Sequence, residues 1–271
     1  MSFASKMSAG LLAAACLCSL SAAEIFSIVD PADFLTPKRV TLEGDSILVK
    51  GQSFFLNSAK TLTLDPAKKY RISGEFRLKE GAESGNLYLG FTPFDANGKQ
   101  ITSSSVNAVA KSDTVVVKAA AEGDTVIFVK DASKWNMKTP FGFIAFNTKP
   151  DHSDLPNYDY VAVVSDGIKQ NGDVWEIPLK QPLTKAVPEG TGVRQQTAGS
   201  SHIYAAYNLN NGLTGEWKVV SGVISGSTSE FGIYKKELWH GTASVRLLIA
   251  LLGGKKNDVL EMKNLVVEEV E

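Results

Sequence analysis

Cysteine is almost absent. The 271 residues hold only Cys16 and Cys18, both near the N-terminus, and three histidines. Cysteine-based zinc sites, thiol catalysis and disulfide frameworks are therefore excluded from the bulk of the chain. An excess of positive charge is lacking too. With 28 basic residues against 29 acidic ones, the chain has no cationic footprint of the kind that nucleic acid requires. Nor does the body of the chain hold an apolar run long enough to span a membrane, which takes about 20 residues. Its strongest run, 247–252, follows Arg246 and stops at Gly253-Gly254. What remains is 44% hydrophobic and 21% charged residues, enough for a proper core. The length suits one large domain or two small ones.

Lys6 precedes an apolar run from Met7 to Leu20 that closes on Ser21, Ala22 and Ala23. This pattern predicts a signal peptide over 1–23, cleavage before Glu24, and a secreted protein, extracellular or periplasmic. Both cysteines leave with the leader. The stretch Leu12-Ala13-Ala14-Ala15-Cys16 loosely resembles a lipobox, so anchoring through a lipidated Cys16 is the alternative.

Beyond the leader the hydrophobic period is two. Tyr70, Ile72, Gly74, Phe76 and Leu78 alternate with Arg71, Ser73, Glu75 and Arg77, which predicts a strand with one buried and one wet face. Leu87, Leu89 and Phe91 alternate with Tyr88 and Gly90, and the turn residues Asp95-Ala96-Asn97-Gly98 follow. Residues 245–252 are apolar on both faces after Arg246, as in a central strand of a sandwich. Leu260 and Met262 occupy one phase and Leu265 and Val267 the other, which predicts a bulge near Lys263-Asn264. Helical spacing with caps is missing, and an all-β sandwich is expected. Between Ser- and Ala-rich stretches, short strand candidates at 124–129, 141–146, 160–164 and 174–179 suit a small β-barrel. We place this inserted domain at 106–197, within a host sandwich made of 24–105 and 198–271.

The segments 70–77, 87–94, 217–222, 241–246 and 260–268 resemble, in order, the strands of jelly-roll carbohydrate-binding modules of families four, nine and twenty-two. The insert, with 123–127, 131–135 and 189–194, is similar to a small β-module of secreted and surface-associated bacterial proteins. The resemblance implies a galactose-binding-like jelly-roll sandwich and a polysaccharide or glycan partner. Such modules often hold a structural calcium between the first and last strands. Here the last strand carries Lys263 and Asn264, so calcium is not supported and no cofactor is expected.

Sugar binding needs flat aromatic faces flanked by planar polar groups. Trp175, in phase with Ile177 and Leu179, and Trp217, in phase with Val219, read as core residues, and Trp135 as a plug of the small barrel. Trp239, beside His240-Gly241 in a turn, is either a ligand platform or a loop anchor. Tyr88 shares its outward phase with Thr92, and the adjacent strand, expected in the same sheet, turns Arg71, Glu75 and Arg77 to its wet face. The expected binding site is therefore Trp239, Tyr88, Arg71, Glu75 and Arg77. The plainer alternative for the charged trio is a solvated face of cross-strand ion pairs. Asp151-His152-Ser153-Asp154 reads as a solvated loop rather than a metal site. The function expected is non-catalytic glycan binding. An extracellular structural or adhesion protein that binds other proteins is the alternative. A polysaccharide lyase is a third reading, on His202, Tyr204 and Arg194.

Overall fold

The computed structural model describes residues 22–80, 85–207, 212–227 and 236–271. Of the expected leader, 1–23, residues 1–21 with Cys16 lie outside the described residues, and Ala23 is the first residue of β1. The first strands are β1 (Ala23–Ile28), β2 (Val40–Glu43), β3 (Ser46–Lys50), β4 (Phe54–Asn57), β5 (Lys69–Glu80) and β6 (Asn86–Phe94). A single helical turn, α1 (Ser103–Val106), leads into β7 (Thr114–Val115), β8 (Val126–Val129), β9 (Gly142–Phe146) and β10 (Tyr160–Ala162). Then come β11 (Lys169–Asn171), β12 (Val174–Pro178), β13 (Gly192–Thr197), β14 (Ile203–Tyr207), β15 (Lys218–Ser225), β16 (Ser244–Leu252) and β17 (Val259–Val270).

Two antiparallel sheets form an all-β sandwich of jelly-roll type. One runs β15-β5-β17-β3-β2, with β1 also on β17, and the other runs β14-β6-β16-β4. Successive strands β4, β5 and β6, and again β14, β15, β16 and β17, include repeated crossings from one sheet to the other. The alternation read in the sequence explains the layers. Tyr70, Ile72, Phe76 and Leu78 face Leu87, Leu89, Phe91, Val245, Leu247, Ile249 and Leu251 across one buried core. On β17 the two apolar phases join through a register shift between Lys263 and Val266, where Asn264 takes φ 52°. The bulge keeps Leu260, Met262, Leu265 and Val267 all in the core.

β14 closes one side of the sandwich. It is hydrogen-bonded to β6, and its backbone also lies against β15. A Cβ at Gly90 would stand 1.9 Å from the Ile203 carbonyl oxygen, and one at Gly222 2.1 Å from that of Ala205. Only glycine allows this double approach.

Two assignments change here. Trp217 is not a core residue, because β15 turns Val220, Gly222 and Ile224 inward and leaves Val219 74% exposed. The local alternation is right, but its phase is reversed. Second, β5 and β6 are not neighbours in one sheet: β5 pairs with β15 and β17, whereas β6 pairs with β14 and β16.

The segment between β6 and β14 builds a second hydrophobic core from Val116, Ile127, Val129, Trp135, Ile144, Phe146, Val163, Ile177 and Val193, among others. A four-stranded sheet, β10-β9-β13-β7, and a three-stranded one, β11-β12-β8, enclose it. Bridges Val116↔Val129 and Val163↔Leu179 join the sheets at both ends, giving a barrel-like wall. Trp135 is buried, its Nε1 donating to the Ser112 carbonyl at 2.9 Å. The two cores share no residue.

Candidate ligand-binding face

The strand pairing decides which side chains can meet. On the four-stranded sheet the core takes Leu87, Leu89 and Phe91 of β6 and Ile203 and Ala205 of β14. The outward phase is left to Tyr88, Gly90 and Thr92 on β6 and to His202, Tyr204 and Tyr207 on or beside β14. Phe55 on β4 lies opposite Ala250, which in turn lies opposite Tyr88. Leu248 and Ala250 project outward from β16 yet are fully buried, so the larger side chains around them roof the sheet. Small residues in the middle, Gly90 and Ala250, let those rings lie over it.

The rings form a continuous series. Tyr207 and Tyr88 have centroids 6.4 Å apart, Tyr88 and Tyr204 4.8 Å, His202 and Tyr204 6.2 Å, and His202 stacks on Phe55 at 5.2 Å. The two ends are open, with Tyr207 52% and Phe55 43% exposed. Tyr88, His202 and Tyr204 are half-buried.

Polar groups fix the centre. Thr92 Oγ1 donates to Asn57 Oδ1 at 2.6 Å and lies 3.0 Å from His202 Nδ1. A threonine hydroxyl has one hydrogen, so His202 Nδ1–H is the donor to Thr92 and Nε2 is left as an acceptor. Burial lowers the His202 pKa to about 4, which keeps the ring neutral at physiological pH. Burial raises the Tyr204 pKa, opposed by a hydrogen bond with Ser200. Arg246 is the charged outward residue of β16. Its Nη1 donates to the Ser58 carbonyl at 2.8 Å and to the Ala59 carbonyl, and the guanidinium lies 5.9 Å from the Phe94 ring centroid.

The predicted site residues do not assemble. Of the five, only Tyr88 belongs to this face. Trp239 is 1% exposed and sits in the sandwich core, so its turn anchors the loop and offers no platform. Arg71, Glu75 and Arg77 lie on the outer face of the opposite sheet, because β5 pairs there with β17. Arg71 Nε is 2.8 Å from Glu268 and Arg77 Nε 2.5 Å from Glu261, while Glu75 accepts from Asn264 Nδ2 at 2.6 Å. Trp217 is held between Arg77 and Lys263, at 4.6 and 4.7 Å from ring centroid to cation. Lys68–Glu269 and Lys79–Glu43 extend the pattern. The hydrogen bond from Arg77 is the main reason the Glu261 carboxyl stays below its usual range. This face is ion-paired and lies on the sheet opposite Tyr88.

Arg194 does not converge on His202 and Tyr204. It is fully buried in the insert, with Nη2 2.7 Å from Asp154 Oδ2 and Nη1 3.4 Å from Asp113 Oδ1. Asp154 is accordingly a buried structural acid rather than part of a solvated loop. Burial pushes its pKa up, but hydrogen bonds from Asn157, the Lys149 amide and Arg194 outweigh that and hold it low. Among the described residues no group of three or more His, Cys, Asp or Glu side chains could hold a metal ion. At the bulge of β17, Lys263 pairs with Asp45 at 3.7 Å.

His202 and Tyr204 share an outward phase on a strand, which the sequence shows. Their place beside Tyr88 is set by a pairing between segments more than 100 residues apart, and no local pattern signals it.

No family model matches the chain, and no curated protein matches it. Among solved structures, it is similar to a "putative sugar binding protein" from Bacteroides thetaiotaomicron, at 11% identity and a TM-score of 0.23. The alignment covers 91% of this chain and 94% of that one. Among the described residues no helix is long and apolar enough to cross a membrane.

Proposed function

We propose that the protein is a secreted, non-catalytic glycan-binding module, and that a neutral polysaccharide lies along the outer face of the four-stranded sheet. One observation carries this reading: the ring series Tyr207, Tyr88, Tyr204, His202 and Phe55, with neighbouring centroids 4.8 to 6.4 Å apart and both ends open. Pyranose rings present C–H faces that pack on aromatic faces, and their hydroxyls need donors and acceptors at the edges. Tyrosine hydroxyls and the acceptor nitrogen of His202 supply these.

The chemistry favours an uncharged sugar. His202 is neutral, and the Arg246 guanidinium is turned onto two backbone carbonyls. A uronate would find no unengaged cation among these groups, which also speaks against the lyase reading. Secretion rests on Lys6, the apolar run from Met7 to Leu20 and the small residues Ser21, Ala22 and Ala23 after it.

A glycan array probed with the chain from Glu24 onward tests the proposal. Retention of neutral polysaccharides is expected, with loss of signal for a Tyr207→Ala, Phe55→Ala double variant. If no glycan is retained, the glycan reading falls and the adhesion alternative replaces it. Retention confined to uronate polymers would remove the neutral assignment.

A further inference from the structure

The insert carries aromatic side chains that its own core does not use. On β9 and the residue before it, Gly142, Ile144 and Phe146 point toward the second core, while Phe141, Phe143 and Ala145 take the other phase. Tyr160 pairs with Ala145 and stands on that same side. Its ring meets Phe143 edge-on, with centroids 5.0 Å apart. Phe141 is 63% exposed. On that side Ala145 is fully buried and the Tyr160 hydroxyl is bonded to Ser104, whereas Phe141 is left open.

Their position relative to the sandwich is tightly fixed. The Ala198 amide donates to the Phe141 carbonyl at 2.9 Å, and four residues later the chain reaches His202 in the ring series. Four residues span at most about 14 Å, and the Ser200 hydroxyl, bonded to the His202 amide and carbonyl, shortens the path further. A second link runs through side chains. The Tyr160 hydroxyl is 3.0 Å from Ser104 Oγ, which is 3.0 Å from Thr102 Oγ1, and Gln100 Nε2 donates to the Ser201 carbonyl at 3.3 Å. The junction is braced by the Asn157 amide on the Ser105 carbonyl, the Tyr158 hydroxyl on Asp95, and Lys99 over the Tyr158 ring at 3.5 Å.

From this continuity we infer that Phe141, Phe143 and Tyr160 form a second glycan subsite, so that one unbranched, neutral polysaccharide chain runs from the ring series across the 198–202 link onto the insert. The inference rests on the glycan reading of the ring series. It assigns the insert a role: lengthening the bound stretch of a polymer. Binding at the second subsite is then intramolecular, so affinity rises with oligosaccharide length until both are filled.

Calorimetry with cello-, xylo- and manno-oligosaccharides of two and of six units tests it, on the full chain from Glu24 and on Phe141→Ala. Phe141 is exposed, so its removal leaves the fold intact, which a melting curve checks. In wild type, a six-unit oligosaccharide is expected to bind at least about tenfold more tightly than the two-unit one. In Phe141→Ala the six-unit affinity falls about fivefold or more while the two-unit affinity holds. If the variant binds both lengths like wild type, the second subsite is overturned and the ring series acts alone. If no oligosaccharide binds wild type, the glycan reading fails and takes this inference with it.

Discussion

Tyr88 and Tyr204 lie side by side on β6 and β14, ring centroids 4.8 Å apart at an interplanar angle of 45°, although the whole insert lies between them in the sequence. Gly90 makes this possible: a Cβ there would strike the Ile203 carbonyl, and β14 could not close onto β6. Gly90→Ala is therefore a way to disturb the ring series without touching a ring, by pushing β14 away from β6.

Trp239 separates structural from ligand-facing aromatics. It is buried in the sandwich core, so Trp239→Ala is expected to cost about 3–5 kcal/mol of stability in denaturant unfolding. Glycan affinity should persist under conditions where the variant is still folded. A stable variant with lost affinity would return Trp239 to the site.

His202 makes stability depend on pH. Burial lowers its pKa from 6.5 to about 4, so between those values the unfolded chain takes up a proton that the folded chain refuses. The contribution is full above pH 6.5 and is lost as the pH falls toward 4. It is on the order of 2 kcal/mol once the partial contact of the ring with water is allowed for. Unfolding of wild type and His202→Asn at pH 7.5 and pH 4.5 measures it. Wild type should lose more, and equal losses would show that the ring titrates normally.

The buried Arg194–Asp154 pair holds the insert together. Asp154→Ala leaves a fully buried guanidinium with only Asp113, 3.4 Å away, and is expected to cost about 3–5 kcal/mol. Because the two hydrophobic cores share no residue, the loss should appear in calorimetric scans as an early transition of the insert ahead of the sandwich. A single cooperative transition moved as a whole would mean that the two parts fold as one unit.

The layers of the fold were readable from local alternation. Tyr70 to Leu78 and Leu87 to Phe91 are half-buried strands whose period of two survives in any sheet, and the phase change between Met262 and Leu265 could be satisfied only by a bulge. Sheet membership was not readable, since β5 and β6 are consecutive but join opposite sheets. That choice rests on long-range pairing with β17 and β14, and it moved Arg71, Glu75 and Arg77 to the far side of the molecule. Burial of a turn residue is equally non-local: nothing around Trp239 reveals that other strands cover it. On β15 the alternation was visible but its phase was not, because Val219 and Val220 are equally apolar and neighbouring strands decide which faces inward.

The most direct test of the glycan-binding face is a calorimetric comparison of Tyr88→Ala and Arg71→Ala against wild type, using a neutral glycan retained on the array. Tyr88 lies within the ring series between Tyr207 and Tyr204, and Arg71 lies on the opposite sheet in a half-buried pair with Glu268. A loss of about tenfold or more in affinity is expected for Tyr88→Ala and wild-type affinity for Arg71→Ala, with both variants folded. Unchanged binding in Tyr88→Ala, or a loss in Arg71→Ala, would contradict the glycan-binding face.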